Sequence, residues 1–235
     1  MDQYYKIAGL TVKMDSFGRT VEQATPYSCP PCESPQIVIE SNWPEMKAKY
    51  PYWPDELGEY MATGASFYKQ LLDFGGMMLH SSAVVVDGQA YLFTADSGTG
   101  KSTHTKLWLE KFGDRAFILN DDKPALRLED DGWYAYGTPW SGKHDISVDT
   151  RVPLAGIAVV ERGEENSIEP FGGITAIHAI LKQVNRPKQK EYREKLLELL
   201  DKLITQVSVW KLRCNMEPEA AEVSYQAMSG KGRKI

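Results

Sequence analysis

The sequence predicts an α/β fold with a mixed sheet, carrying a small strand-rich extension at its N-terminus. Three observations carry that prediction. The segment Ala95-Asp96-Ser97-Gly98-Thr99-Gly100-Lys101-Ser102 fits the pattern G-x-x-x-x-G-K-[ST], with alanine in the first glycine position. An apolar run, Ala90-Tyr91-Leu92-Phe93-Thr94, precedes it, and a helix-like run from Ser102 to Phe112 follows it. Asp87-Gly88 joins two apolar runs just upstream, the strongest short-range signal for a hairpin. The strand that enters the loop is therefore one arm of an antiparallel hairpin, and the sheet cannot be wholly parallel.

The elements follow in order. Residues 1 to 25 read as short strands around Tyr5 to Val12, with a turn at Phe17-Gly18, and residues 26 to 36 are broken by four prolines into a loop. Ile37-Val38-Ile39 is a short strand, and Asn42 to Pro54, with three prolines and two tryptophans, reads as irregular. From Asp55 to Phe74 the residues Leu57, Met61, Ala65, Tyr68 and Leu72 recur at helical spacing, ending at Gly75-Gly76. Met77 to Val86 reads as one strand, returning through Gln89 to Thr94. Arg115 to Leu119 is a buried strand, and Ala125 to Leu128 with Trp133 to Tyr136 form another hairpin. Gly137 to Asp149 is a polar loop and Leu154 to Glu161 a strand. Gly173 to Val184 and Glu191 to Gln206 are helices, the second with Leu196, Leu199, Leu200 and Leu203 on one stripe. Val207 to Leu212 is a last strand, and Pro218 to Met228 a last helix. This divides the chain into an extension packed on the core (residues 1 to 75), a core (76 to 228) and a flexible basic tail (229 to 235).

Composition narrows the classes. Of 235 residues, 42% are hydrophobic and 25% charged, which suits an ordinary globular core. A net charge of −5 argues against nucleic acid as the main partner. No apolar run is long enough to cross a bilayer, and the first residues lack the basic start and apolar stretch of a signal peptide, so the expected location is the cytoplasm. Cys29 and Cys32 form a Cys-Pro-Pro-Cys motif with no second Cys/His pair placed to complete a zinc site, and it does not open a helix as a redox pair would. A Pro-rich surface loop with two thiols is the favoured reading.

A strand feeding a Gly-rich turn feeding a helix start is the geometry phosphates need, because free N–H groups and the helix dipole both face the anion. Asp96, Ser97, Gly98, Thr99, Gly100, Lys101, Ser102 and Thr103 are the candidate nucleotide contacts. Lys101 would reach the β- and γ-phosphates and the Ser102 hydroxyl would sit on Mg²⁺. Phe117-Ile118-Leu119-Asn120-Asp121-Asp122 places two carboxylates at a strand end. One can serve the metal, and the other can orient or deprotonate an attacking hydroxyl. His80 lies before the loop as a structural or switchable group. Phosphoryl transfer also needs positive charge around the migrating group, and Lys143, Arg151 and Arg162 are the candidates, with Lys143 best placed in its Gly-bounded loop.

Taken together, these residues resemble the HPr kinase/phosphorylase family and its relatives in the phosphoenolpyruvate carboxykinase-like superfamily. The resemblance runs over roughly residues 77 to 160 in three pieces: Leu79-His80-Ser81-Ser82 with the hairpin, Ala95 to Thr103, and Leu119-Asn120-Asp121-Asp122. Gly137-Thr138-Pro139-Trp140-Ser141-Gly142-Lys143 also looks like a recurring feature of small HPr-kinase-related proteins from Gram-positive bacteria. The resemblance implies a phosphoenolpyruvate carboxykinase-like P-loop core using ATP and Mg²⁺. Lys101 and Ser102 would bind phosphate and metal, Asp121 or Asp122 would act as base with the other as metal partner, and His80 would support the catalytic loop. The chain departs from the family at Ala95, at Ser81-Ser82 and at Thr103, and it lacks the C-terminal signature of the phosphorylase reaction. The acceptor is therefore left as a hydroxyl of a peptide, small protein or metabolite. HPr kinases assemble as hexamers, and homo-oligomer formation is left open here. A nucleotide-dependent switch without an acceptor is the alternative reading; a decarboxylating carboxykinase ranks last because the chain is short.

Overall fold

The computed structural model describes residues 3 to 40 and 43 to 230. The expectations for Asn42 and for the end of the tail, residues 231 to 235, lie outside these. Chain order begins with β1 (Gln3–Ile7) and β2 (Leu10–Met14), an antiparallel hairpin whose turn places Ala8 and Gly9 at positive φ. Then comes α1 (Gly18–Ala24), where short strands were expected. Its seven residues bury Thr20 and Ala24, and only its docking on a later helix makes so short a helix stable. β3 (Ile37–Ile39) pairs parallel with β2, completing a three-stranded sheet. The stretch expected to be irregular holds α2 (Trp43–Lys49), where Pro44 sits in the first turn, the position that tolerates it. α3 (Asp55–Leu71) follows as its periodicity predicts, and the chain turns out of it through Gly75 in the left-handed region.

The expected single strand from Met77 to Val86 is two strands. β4 (Gly76–Met78) and β5 (Ser81–Val86) belong to distant parts of one sheet, because Leu79 and His80 leave the line to pair with residues 183 and 184. β5 turns through Asp87-Gly88, both at positive φ, into β6 (Gln89–Thr94). After the loop, α4 (Lys101–Phe112) leads to β7 (Ala116–Asn120). The hairpin β8 (Ala125–Glu129) and β9 (Gly132–Tyr136) and the long β10 (Arg151–Arg162) follow. A short edge strand, β11 (Ser167–Pro170), has no apolar alternation and was not foreseen. α5 (Gly173–Leu181), α6 (Lys190–Gln206), β12 (Val209–Cys214) and α7 (Glu219–Met228) complete the described chain.

The main sheet runs β4-β8-β9-β10-β6-β5-β7, with β12 also on β10 and β11 on β12. It is mixed: β6 lies parallel to β10 and antiparallel to β5. Alternate residues of β5 face opposite sides. Ala83 and Val85 pack with the leucine stripe of α6 and with Ile180, while Val84 and Val86 pack with Trp108, Tyr225 and Met228 from α4 and α7. All six residues of β5 are buried, as expected for a strand covered on both faces. A third core joins β1 to β3 and α3 to Tyr134, Tyr136 and Trp140. Among the described residues no helix is long and apolar enough to cross a membrane.

Candidate functional site

Strand direction gathers the chemistry on one edge. β6 runs parallel to β10, and β10 to β12; β7 is antiparallel to β5, which is antiparallel to β6. The C-terminal ends of β6, β7, β10 and β12 and the start of β5 therefore share an edge, the usual ligand side of an open α/β sheet. The loop after β6, the acids after β7, Arg162 and His80 all lie there.

The loop is shaped by its own backbone. Gly98 (φ +80°) and Gly100 (φ +123°) occupy the left-handed half of conformational space, which favours glycine, and a Cβ at either would meet nothing within 4 Å. The Lys101 ammonium donates to the Ala95 carbonyl at 2.9 Å, so it spans the loop from beneath. Burial lowers its pKa, against the opposing pull of Asp122, Asp121 and Asp96. Ser102 is half-buried in the first turn of α4, and Ser97 and Thr103 are exposed. Arg162 donates to the carbonyls of Thr99 (3.1 Å) and Gly98 from the end of β10.

The two acids have different partners. Ser82 donates to Asp121 at 2.6 Å and stands 3.0 Å from the Thr105 hydroxyl in α4, linking the acid strand to the helix after the loop. Asp122 faces His80 Nε2 at 3.2 Å and is paired with Lys123. Burial alone would raise its pKa, but His80 and Lys123 outweigh it and hold the carboxyl at about 2. Asn120, fully buried, accepts from the Asp122 and Lys123 amides at 3.0 and 2.8 Å and so sets the turn that separates the acids. Its Nδ2 donates to the Thr138 carbonyl at 3.0 Å, fastening the next loop to the same turn.

That loop, expected to be polar, is buried over residues 137 to 141 and exposed at 143 to 146. Thr138, Trp140 and Ser141 are buried, and the Trp140 ring stacks on Phe67 with centroids 4.9 Å apart. Residues of the first third of the chain hold it. Arg19 donates to the Gly142 carbonyl and Asp145, Gln23 donates to Asp145, and the Gly142 amide donates to Tyr60 Oη at 3.0 Å. Gly142 (φ +74°) lies so close to the acids that a Cβ there would sit 2.7 Å from Asp122 Cβ. The loop thus walls the acid pair, and Lys143 follows Gly142 directly, exposed at its tip.

The sequence-derived residues are thus gathered with one exception. Arg151 is not at the site: it pairs with Glu129 and lies over the Tyr134 ring at 4.1 Å. It begins the strand that Arg162 ends, and at ~3.3 Å per residue that strand separates the two by roughly 35 Å. The arginine at the loop is Arg162. Arg19 and Gln183 are not marked by the sequence at all, and Ser82 and Asn120 stand in it only as parts of longer motifs. His104 is a core residue, bonded to Ser224 at 3.0 Å and pushed down to about 4 by burial.

Two cavities bear on ligands. One of about 440 Å³ adjoins the loop, lined by Gly98, Thr99, Thr103, Val160, Arg162 and Met216 among others. A larger one, about 620 Å³, lies between the β1–β2 turn and β8–β10, where Arg127 donates to backbone carbonyls and Arg151 meets Glu129. Arg151 and Glu129 pair with each other there, and the chemistry described above lies elsewhere.

No family model matches this chain, and no curated protein matches it. Among solved structures, the chain has a distant likeness to the HPr(Ser) kinase/phosphatase from Coxiella burnetii, with 11% identity and a TM-score of 0.39 over 66% of this chain and 99% of that one.

Proposed function

We propose that this protein is an ATP- and Mg²⁺-dependent phosphotransferase that moves the γ-phosphoryl group to a hydroxyl of a peptide, small protein or metabolite. The observation that carries this reading is the convergence, on one sheet edge, of a lysine-bearing glycine loop and two carboxylates held by different partners. Loop amides and Lys101 bind the phosphates, and the apolar-walled cavity beside Thr103 has a size suited to the nucleoside end.

The two acids divide the work. Asp122 already faces two cationic or donor groups and is held at about 2, so it is a poor proton acceptor and a good anionic anchor. Asp121, fixed by Ser82, accepts the acceptor's hydroxyl proton as its oxygen attacks the γ-phosphorus and the bond to the β-phosphate oxygen breaks. Lys143, exposed beside Gly142, would meet charge on the transferring group. The donor set fits Mg²⁺: the Asp122 carboxylate and the Ser102 hydroxyl are hard oxygen ligands, and this ion needs only one or two carboxylates when phosphates supply the rest. Bound there, Mg²⁺ would supply charge neutralisation across the phosphates.

The test is transfer of labelled γ-phosphate from ATP to separated peptide and metabolite fractions, beside Lys101→Ala and Asp121→Ala. Labelled product that requires both residues supports the reading. Nucleotide binding with no acceptor in any fraction, and no dependence on Asp121, replaces it with a nucleotide switch.

A further inference from the structure

Gln183, just after α5, touches both halves of the site and has no part in the reaction above. It is nine-tenths buried. Its backbone carbonyl accepts from the His80 amide at 2.7 Å, and its Oε1 is 3.0 Å from His80 Nδ1. Its Nε2 donates to Asp96 Oδ1 at 3.0 Å. His80 Nε2 in turn faces Asp122 Oδ1 at 3.2 Å. Four side chains, Asp96, Gln183, His80 and Asp122, thus stand in series from the phosphate loop to the acid pair.

The chain has one direction. A carboxylate only accepts, so Asp96 takes the amide's NH₂ group and leaves its oxygen for the imidazole. Backbone pairing holds the two middle members in place, through the His80–Gln183 bond and the Leu79–Val184 bridge. Only the side chains are free to turn. Asp96 follows the residue whose carbonyl holds the Lys101 ammonium, a bond that must break when Lys101 swings to a phosphate.

We propose that Gln183 is a positioning residue that couples the phosphate loop to His80, so that filling the loop reorients the imidazole against Asp122. This rests on the nucleotide reading for what fills the loop. A separate side-chain link runs from Thr105 in α4 through Ser82 to Asp121. The serial contact therefore gives Asp122 its own report of loop occupancy.

The test follows the ring signals of ¹³C-labelled histidine, assigned with His80→Gln, while a non-hydrolysable ATP analogue and Mg²⁺ are added. The wild type should show a shift of the His80 signal on binding. Gln183→Met, similar in length but without the hydrogen bonds, should bind the analogue within about 3-fold and lose that shift, with kcat lowered on the order of 10-fold and KM for ATP little changed. Asp96→Ala cuts the same chain from its other end and should also lose the shift, which guards against a folding defect in the first variant. An undiminished His80 shift in both variants, or a wild type that binds the analogue with no His80 response, overturns the proposal. A wild type that binds no analogue, measured separately by calorimetry, overturns the nucleotide reading and the coupling with it.

Discussion

Replacing Glu59 by glutamine should flatten the pH dependence of stability between pH 5 and pH 8. Glu59 lies in α3, fully buried against α1, where it accepts a hydrogen bond from Thr20. Its other carboxyl oxygen has no partner among the described residues. Burial pushes its pKa up from 4.5 to about 7; bonds to Thr20 and the Phe17 backbone oppose this, and Asp15 and Glu56 add to it. Between pH 4.5 and 7 the unfolded chain gives up this proton while the folded chain keeps it. Stability therefore falls as pH rises through that window, and the loss is complete above about 7. At 1.36 kcal/mol for each tenfold change, the shift is worth about 3 kcal/mol. Glutamine does not titrate. Urea unfolding at pH 5, 6, 7 and 8 should show the wild type losing about 2.5 kcal/mol more than Glu59→Gln across the range. A difference between the two proteins that stays constant from pH 5 to pH 8 refutes the claim that the folded state holds this proton.

Other outcomes follow from the same structure. Lys101→Ala should cut phosphoryl transfer by on the order of 10³-fold and weaken binding of ATP, read by transfer assay and calorimetry. On the proposed mechanism, Asp121→Asn should lower kcat by on the order of 10²-fold or more while KM for ATP stays within a few-fold, since the proposed base is lost and no phosphate contact is. Gly64→Ala would place a Cβ 2.8 Å from the buried Trp140 ring, and overpacking there should cost about 1–3 kcal/mol in urea unfolding and lower activity through the 137–145 loop. Asp122 stabilises the fold above its unfolded value of 3.8 and loses that contribution as pH falls through about 2, so Asp122→Asn should narrow the acid-unfolding difference between pH 5 and pH 2 by about 2 kcal/mol.

What could be read from the sequence was what local chemistry decides. Asp87-Gly88 and Gly98-x-Gly100 need positive φ and show it in residue type alone, so the hairpin and loop were plain. The paired acids were plain too, because they end an apolar strand. Contacts made far along the chain were not. Nothing in Met77 to Val86 marks the break at Leu79-His80, which is set by residues 183 and 184. Trp43-Pro44 reads as a breaker and is a helix start. Arg151 and Arg162 look alike in sequence, and only the length of β10 and its direction tell that one reaches the loop and the other does not. The polar look of Gly137 to Asp149 hid a buried first part, residues 137 to 141, because what buries Trp140 is Phe67 and Tyr68 from α3.

The two sides of the candidate site also differ in how they must be assembled. The phosphate side is local: Lys101 bonds back to Ala95, and Thr105 bonds to Lys101 and Ser102. The wall opposite is made by Arg19 on Gly142 and by Tyr27 on Ser147, contacts spanning 123 and 120 residues. Closing a flexible loop of that length costs about 4 kcal/mol of chain entropy before any contact repays it, against about 2 kcal/mol for a loop of ten residues. During folding the glycine loop can therefore take shape while the wall is still open. In the native protein the wall belongs to the weaker cooperative unit, with earlier amide exchange expected at residues 141 to 147 than in β5 and β6. A chain carried part-way out of its native state would keep the glycine loop longest and lose the wall beside the acids first.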